Sequence, residues 1–309
     1  MRVLFWGTPD FATPALRALI GEGFDVVGVV TQPDKPRGRS RGTLVPPPVK
    51  VVAATESIQV LQPARPRGDE FLAAIRALEP DISVVVAYGH ILTRDVIELP
   101  RLGTLNIHAS LLPALRGAAP VQAAIRQGLS ETGVTIMRMV EALDAGPILL
   151  QRATPIPPDV TYGELLLDLS EIGAQALIEA LALIDVGATT ERAQDDTRAT
   201  YAPKLTRDMA RIDWSLTADE VARSIRAYDP RPGAWTTHAR GEMHLFGARA
   251  VPGRQGAAGE VLEIGKTGMV VGTGADAVLV IVAQPAGKRR MAPYELQAGR
   301  QIAVGDVLS

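Results

Sequence analysis

The stretch ISVVVAYGHILTRDVIELPRLGTLNIHASLLPALRGAAPVQAAIRQG, residues 82–128, runs twice through the same pair of patterns. Ile82–Ala87 is an apolar run, and Arg94–Glu98 then carries apolar residues at helical spacing. Thr104–Ile107 is a second strand-like run and Val121–Gln127 a second helical one. Apolar runs separated by helical segments are the pattern of strands buried on both faces, hence of a mostly parallel sheet covered by helices. Working outward, Val3–Trp6, Val26–Val30 and Val134–Met139 read as further buried strands, and Pro14–Ile20 and Asp69–Leu78 as further helices. The first half of the chain is therefore expected to be α/β, with a doubly wound sheet. In such sheets ligands bind beyond the carboxyl ends of the strands, which is where His108 falls.

The pattern changes later in the chain. A long amphipathic helix is expected over Tyr162–Ile184, followed by the polar stretch GATTERAQDDTRAT, Gly187–Thr200, which suits a linker between domains. One more helix, Ala218–Ala227, precedes short β-like runs at Gly233–Ala239, Met243–Ala250, Gly259–Ile264, Gly268–Thr273, Ala277–Val282 and Ile302–Val307. Close Gly and Pro punctuation of short strands predicts a small antiparallel barrel.

The 309 residues are 47% hydrophobic and 21% charged, the composition of an ordinary globular chain with room for two domains. A formal net charge of −2 excludes a uniformly basic nucleic-acid binder but not a local basic patch. With no cysteine there is no disulfide framework and no thiolate chemistry. The N-terminus has no long apolar run, and no segment approaches the roughly 20 apolar residues of a membrane helix, so a cytoplasmic protein without membrane contact is expected.

Asn106 and His108 lie two residues apart on a strand and so point to the same side. An amide donor and an imidazole sharing one face at a strand end can polarise a carbonyl. A histidine alone is more often structural, and the neighbouring Asn106 and the loop Ser110–Pro113 do not decide the matter. Asp144, in Leu143-Asp144-Ala145-Gly146, is on its own an ordinary turn former. If the fold brings it beside His108, the three groups form a set able to stabilise an oxyanion and move a proton. Gly7-Thr8-Pro9-Asp10 stands where a dinucleotide fold carries GxGxxG, but has only one of its glycines. His90, His108, His238 and His244 form no HxxH or HExxH pair, so no metal is expected, and Ser110 lacks the GxSxG setting of a nucleophile.

Thr31–Lys50, TQPDKPRGRSRGTLVPPPVK, sets Lys35, Arg37, Arg39, Arg41 and Lys50 against a single acid, Asp34. It reads either as a solvated loop or as one that binds a phosphate backbone. Lys288-Arg289-Arg290 is a lesser basic cluster compatible with the same partner.

Taken together, GTPDFA near the start, TQPDKPRGR, VVVAYG, NIHASLLPALRGAAPVQ, ETGVTIM, LDAGPIL, ARIDWS and QPAGK make the whole chain resemble the bacterial methionyl-tRNA formyltransferases. NIHASLLP with the later Asp144 marks the wider group of enzymes that use formyltetrahydrofolate; TQPDKPRGR and the C-terminal part point to the transfer-RNA enzyme within it. The resemblance implies a Rossmann-like formyltransferase domain over 1–188, a linker over 189–206 and an OB-like β-barrel domain over 207–309 that binds tRNA. It implies Asn106, His108 and Asp144 as the catalytic set, and Ser110, Leu111, Leu112 and Pro113 at the folate. Arg37, Arg39, Arg41 and Lys50 would meet the tRNA, the arginines at its acceptor arm. The co-substrate would be 10-formyltetrahydrofolate, the partner initiator methionyl-tRNA, and the enzyme a metal-free monomer. Ala114-Leu115 departs from the Arg-Trp pair of many relatives, and the charge spacing of the basic loop is shifted. The rival readings are a formyltransferase for an amino-sugar nucleotide, a formylfolate hydrolase with the same trio, and a non-catalytic RNA-binding module.

Overall fold

A computed structural model of the chain describes residues 1–36 and 44–309. Its internal contacts divide it into two compact units. The first comprises Met1–Gly117, Thr132–Thr154 and Leu166–Tyr201; the second comprises Ala118–Glu131, Pro155–Leu165 and Ala202–Ser309. These units are not successive along the chain, unlike the boundaries expected at 188 and 206. Local periodicity gives the type of an element but not its partner. The helix Pro120–Arg126 follows the first unit's strands in sequence, yet it packs on Ala218–Ala227. The Ala119 N–H donates to the Ala202 carbonyl at 3.2 Å, and the Arg126 guanidinium lies 5.8 Å from the Tyr228 ring centre.

The first unit is built on a seven-stranded sheet of β1 (Arg2–Gly7), β2 (Asp25–Val30), β3 (Val60–Leu61), β4 (Ile82–Val86), β5 (Thr104–His108), β6 (Glu131–Arg138) and β7 (Ile148–Pro155). Their spatial order is β7-β6-β5-β4-β1-β2-β3. Pairings from β5 through β4, β1 and β2 to β3 are parallel, and β6 runs antiparallel to β5. Central strands in a parallel sheet are covered on both sides, which is why Val3–Trp6 and Ile82–Val86 are buried throughout without alternation, the one polar residue, Ser83, accepting from Trp6 Nε1 at 3.2 Å. Trp6 and Tyr88 meet edge to face at 5.3 Å within this core.

The chain lays down β1, β2 and β3 in one direction and then returns to place β4 on the other side of β1. The order therefore reverses between β1 and β4, the position of the ligand crevice in open α/β sheets. Across that crevice Thr8 Oγ1 donates to the Tyr88 carbonyl at 2.9 Å, and Gln32 Nε2 donates to the same carbonyl at 3.2 Å.

The sequence reading missed β3 and β7, and the helix Pro48–Thr55 occupies the end of what was expected to be loop. Pro48 sits in the first helical turn, where its missing N–H costs nothing, so the proline run at the end of the expected loop starts the helix. β3 is too short to show a period.

In the second unit β8 (Ala234–His238), β9 (Gly241–Val251), β10 (Val261–Gly265), β11 (Gly268–Gly272) and β12 (Ala277–Pro285) form an antiparallel sheet in the order β8-β9-β12-β11-β10. Its inner face buries Leu245, Val261, Met269, Val271, Val278 and Val280, and the helix Ala218–Ala227 adds Val221 and Ile225. That helix starts at a capping box, Thr217 with Glu220, which satisfies two orphan N–H groups reciprocally. The strand expected over Ile302–Val307 is instead a turn: Gly305 has φ +88°, and the Asp306 carboxylate accepts from the Ala303 N–H at 2.8 Å. The tail that follows reaches both edges of the sheet. Ser309 exchanges backbone bonds with Thr237 of β8, while the Asp306 carbonyl accepts from Val261 of β10.

Candidate active site

His108 is the last residue of β5, and Asn106 precedes it by one pleat on the same face. Asn106 pairs in register with Val85 on one side and Met137 on the other, and His108 with Thr135. The strand thus delivers both side chains to the carboxyl end of the sheet. His108 is buried, whereas Asn106 is half-buried, and its carboxamide makes no side-chain hydrogen bond among the described residues.

Two loops close on the imidazole. The first, residues 109–117, turns so that Nε2 of His108 donates to the Leu115 carbonyl at 3.0 Å. The carbonyl can only accept, which fixes the proton on that nitrogen. The second loop carries Asp144, whose Oδ2 lies 3.7 Å from Nδ1 of His108. That distance is too long for a hydrogen bond but close for charge. The same oxygen accepts from the Gly117 N–H at 2.8 Å. Gly117 has φ +114°, a conformation that glycine adopts without the steric cost of a side chain, and it is through this backbone that the two loops meet. Both ring nitrogens therefore face oxygens, a carbonyl at Nε2 and a carboxylate beyond Nδ1.

Further bonds hold the first loop. Thr135 Oγ1 donates to the Ser110 carbonyl at 2.7 Å and accepts from the Leu112 N–H at 3.1 Å. Gln151 Nε2 donates to the Leu112 carbonyl at 3.0 Å, and Leu115 N–H donates to Thr200 Oγ1 at 2.9 Å. The sequence reading did not anticipate Leu115, Gly117, Thr135, Gln151 or Thr200, because they act through backbone groups or across long sequence separations. The Ala114-Leu115 departure falls here: Leu115 is buried, and it serves the site through its carbonyl rather than its side chain.

The four residues expected at a folate divide. Ser110 and Leu112 are buried, and the Ser110 hydroxyl donates to the Ala114 carbonyl at 2.6 Å, so it shapes the loop from within. Leu111 and Pro113 are half-exposed. Nearby Tyr88 is buried in the core, and burial pushes its phenol up to about 12.

Of the expected RNA contacts, Arg37, Arg39 and Arg41 lie outside the described residues. Lys50 belongs to the helix Pro48–Thr55, and its ammonium is 2.8 Å from the Asp34 carboxylate, which also accepts from Gln62 at 2.7 Å. The Gln62 amide and the Lys50 ammonium hold the Asp34 carboxyl below its usual range. Lys50 is thus committed to an internal pair rather than presented as a free cation. In the second unit Arg290 lies over the Phe246 ring and donates to the Pro230 carbonyl. Among the described residues no cluster of three or more His, Asp or Glu is placed to hold a metal ion, and no helix is long and apolar enough to cross a membrane.

Comparison with known proteins bears on this arrangement. Residues 1–181 match the family described as formyl transferase, and residues 204–301 match the formyl transferase C-terminal domain. A methionyl-tRNA formyltransferase of Moorella thermoacetica is 44% identical over 309 residues, covering 100% of this chain and 99% of that protein. One from Geobacillus thermodenitrificans is 45% identical, covering 99% and 97%. The fold is also that of HypX from Aquifex aeolicus, solved in complex with tetrahydrofolic acid, with a TM-score of 0.68 at 20% identity. The match covers 98% of this chain and spans 48% of the longer HypX. Two successive domain matches and full-length identities of 44% and 45% place the chain in one family. It belongs to the methionyl-tRNA formyltransferases.

Proposed function

We propose that the protein transfers the formyl group of 10-formyltetrahydrofolate to the α-amino group of methionyl initiator tRNA, with Asn106, His108 and Asp144 as its catalytic set. The observation that carries this reading is the convergence of Asp144 and His108 at 3.7 Å beside an uncommitted carboxamide at the end of β5. That set fits a carbonyl oxygen: among the described residues the Asn106 carboxamide makes no side-chain hydrogen bond, and the imidazole makes one, at Nε2.

Bound 10-formyltetrahydrofolate supplies the electrophilic formyl carbon on N10. Negative charge develops on the formyl oxygen as the amine adds, and Asn106 and the Nδ1 edge of His108 are placed to stabilise it. One such preorganised donor is typically worth about 2.7–4 kcal/mol in the transition state. Asp144 lies against Nδ1 and assists proton movement: as the C–N10 bond breaks, the proton given up by the attacking amine passes to N10 and tetrahydrofolate leaves. The α-amine needs no strong base, because its ordinary pKa of about 7.7–8.0 leaves a substantial neutral fraction near pH 7.

Leu111 and Pro113 are the loop residues positioned to contact the folate, with Ser110 and Leu112 behind them. The basic stretch with Arg37, Arg39 and Arg41 supplies the charge for an RNA backbone. The reach of the C-terminal tail to both edges of the second sheet supports the reading of residues 207–309 as an OB-like, tRNA-binding barrel.

The test is direct. Incubation with 10-formyltetrahydrofolate and charged initiator tRNA is expected to give N-formylmethionyl-tRNA. Release of free formate without formylated tRNA, or formylation of an amino-sugar nucleotide in its place, would overturn the reading.

A further inference from the structure

Gln194 lies in the polar stretch 187–200, where nothing in the sequence marks it, yet every polar atom of its side chain is used. Nε2 donates to the carbonyls of Asp144 and Gly146, both at 2.8 Å. Oε1 accepts from Arg116 Nη2 at 2.8 Å and Nε at 3.1 Å. Arg116 is buried and also reaches Asp196 at 2.7 Å. The segment is fixed to the sheet just before Gln194: Arg192 exchanges backbone bonds with Ile148 of β7, and Glu191 pairs with Arg138 of β6 at 2.8 Å.

We infer that Gln194 is a positioning residue for the catalytic set: its carboxamide sets the distance between the Asp144 turn and the loop that carries Leu115 and Gly117. Asp144 has φ +49°, a left-handed turn conformation that an aspartate tolerates, and the turn is held from outside through its carbonyl. Gly117 holds the carboxylate of Asp144, and Gln194 holds its carbonyl. Arg116 adjoins Gly117 and Leu115, whose carbonyl orients the other ring nitrogen of His108. One carboxamide therefore ties together the two groups that grip the imidazole. The inference rests on the reading of Asp144 as part of the catalytic set.

A glutamate separates this role from general structural support. In Gln194→Glu one oxygen can still accept from Arg116, but the other faces the Asp144 and Gly146 carbonyls with no proton to donate. Gln194→Met keeps the length of the side chain and removes both functions. The expected result for each is a fall in kcat of about 10- to 100-fold, the size of effect that a displacement of about 1 Å produces, with KM for either substrate within about twofold. In an Asp144→Asn background, Gln194→Glu should lower kcat by less than about twofold, because coupled residues are not additive. Thermal melting of each variant identifies the folded protein to be assayed. Wild-type kcat in the folded Gln194→Glu or Gln194→Met protein would overturn the inference, as would an equal loss in both backgrounds. Undiminished turnover in Asp144→Asn alone would overturn the reading of the site itself, and this inference with it.

Discussion

Around His108 the buried side chains include Arg116, Thr135 and Ser110, and each is bonded to a loop or strand near the imidazole. Around Leu245, in the second unit, the buried neighbours are mostly valines, isoleucines, leucines, methionines and alanines joined by contact, and Trp214 adds one directional bond, from Nε1 to Thr236 Oγ1 at 3.0 Å. Apolar packing is non-directional: losing a methylene weakens a fold without re-aiming anything. A buried hydrogen-bond network is directional, so losing one member moves its partners or leaves them unsatisfied. The first kind of region sets stability, and the second sets where a nitrogen points.

Gly146→Ala should break this contrast most severely. A Cβ there would come within 1.8 Å of the Arg138 carbonyl, so the Asp144 turn must move. The expected outcome is a loss of about 100-fold or more in kcat, read by steady-state kinetics on protein that still melts cooperatively. Leu245→Ala is the converse. Its side chain is fully buried, and truncation should cost about 2–5 kcal/mol in urea unfolding. At a temperature where the variant remains folded, its rate of formyl transfer with saturating substrates should stay within about threefold of wild type, since no bond to the imidazole changes. Thr217→Ala removes the acceptor of the capping box and should cost about 1 kcal/mol by the same measurement, with kinetics unchanged.

The same contrast explains what could be read from the sequence. Apolar packing leaves a period, so β1, β4 and β5 and the helix Ala218–Ala227 follow from residue spacing alone. Strand parity also puts Asn106 and His108 on one face. Directional networks leave no period. Asp144 is an ordinary turn residue until the fold sets it beside a histidine thirty-six positions earlier, and it was singled out by its setting in LDAGPIL rather than by any spacing. Gln194 looks like linker composition, and the Leu115 carbonyl is invisible to any reading of side chains. The misread ends, Pro48–Thr55 and Ile302–Val307, come from local chemistry: a proline run that starts a helix, and an apolar stretch interrupted by Gly305 and the Asp306 acceptor.

The measurement that bears most directly on the site is the single-turnover rate of formyl transfer by His108→Ala, with both 10-formyltetrahydrofolate and methionyl-tRNA saturating. The geometry at the end of β5 predicts a rate about 10²- to 10⁴-fold below wild type, with affinities for the two substrates much less affected. A folded variant that transfers formyl at the wild-type rate would show that the imidazole held between Leu115 and Asp144 takes no part in the chemistry.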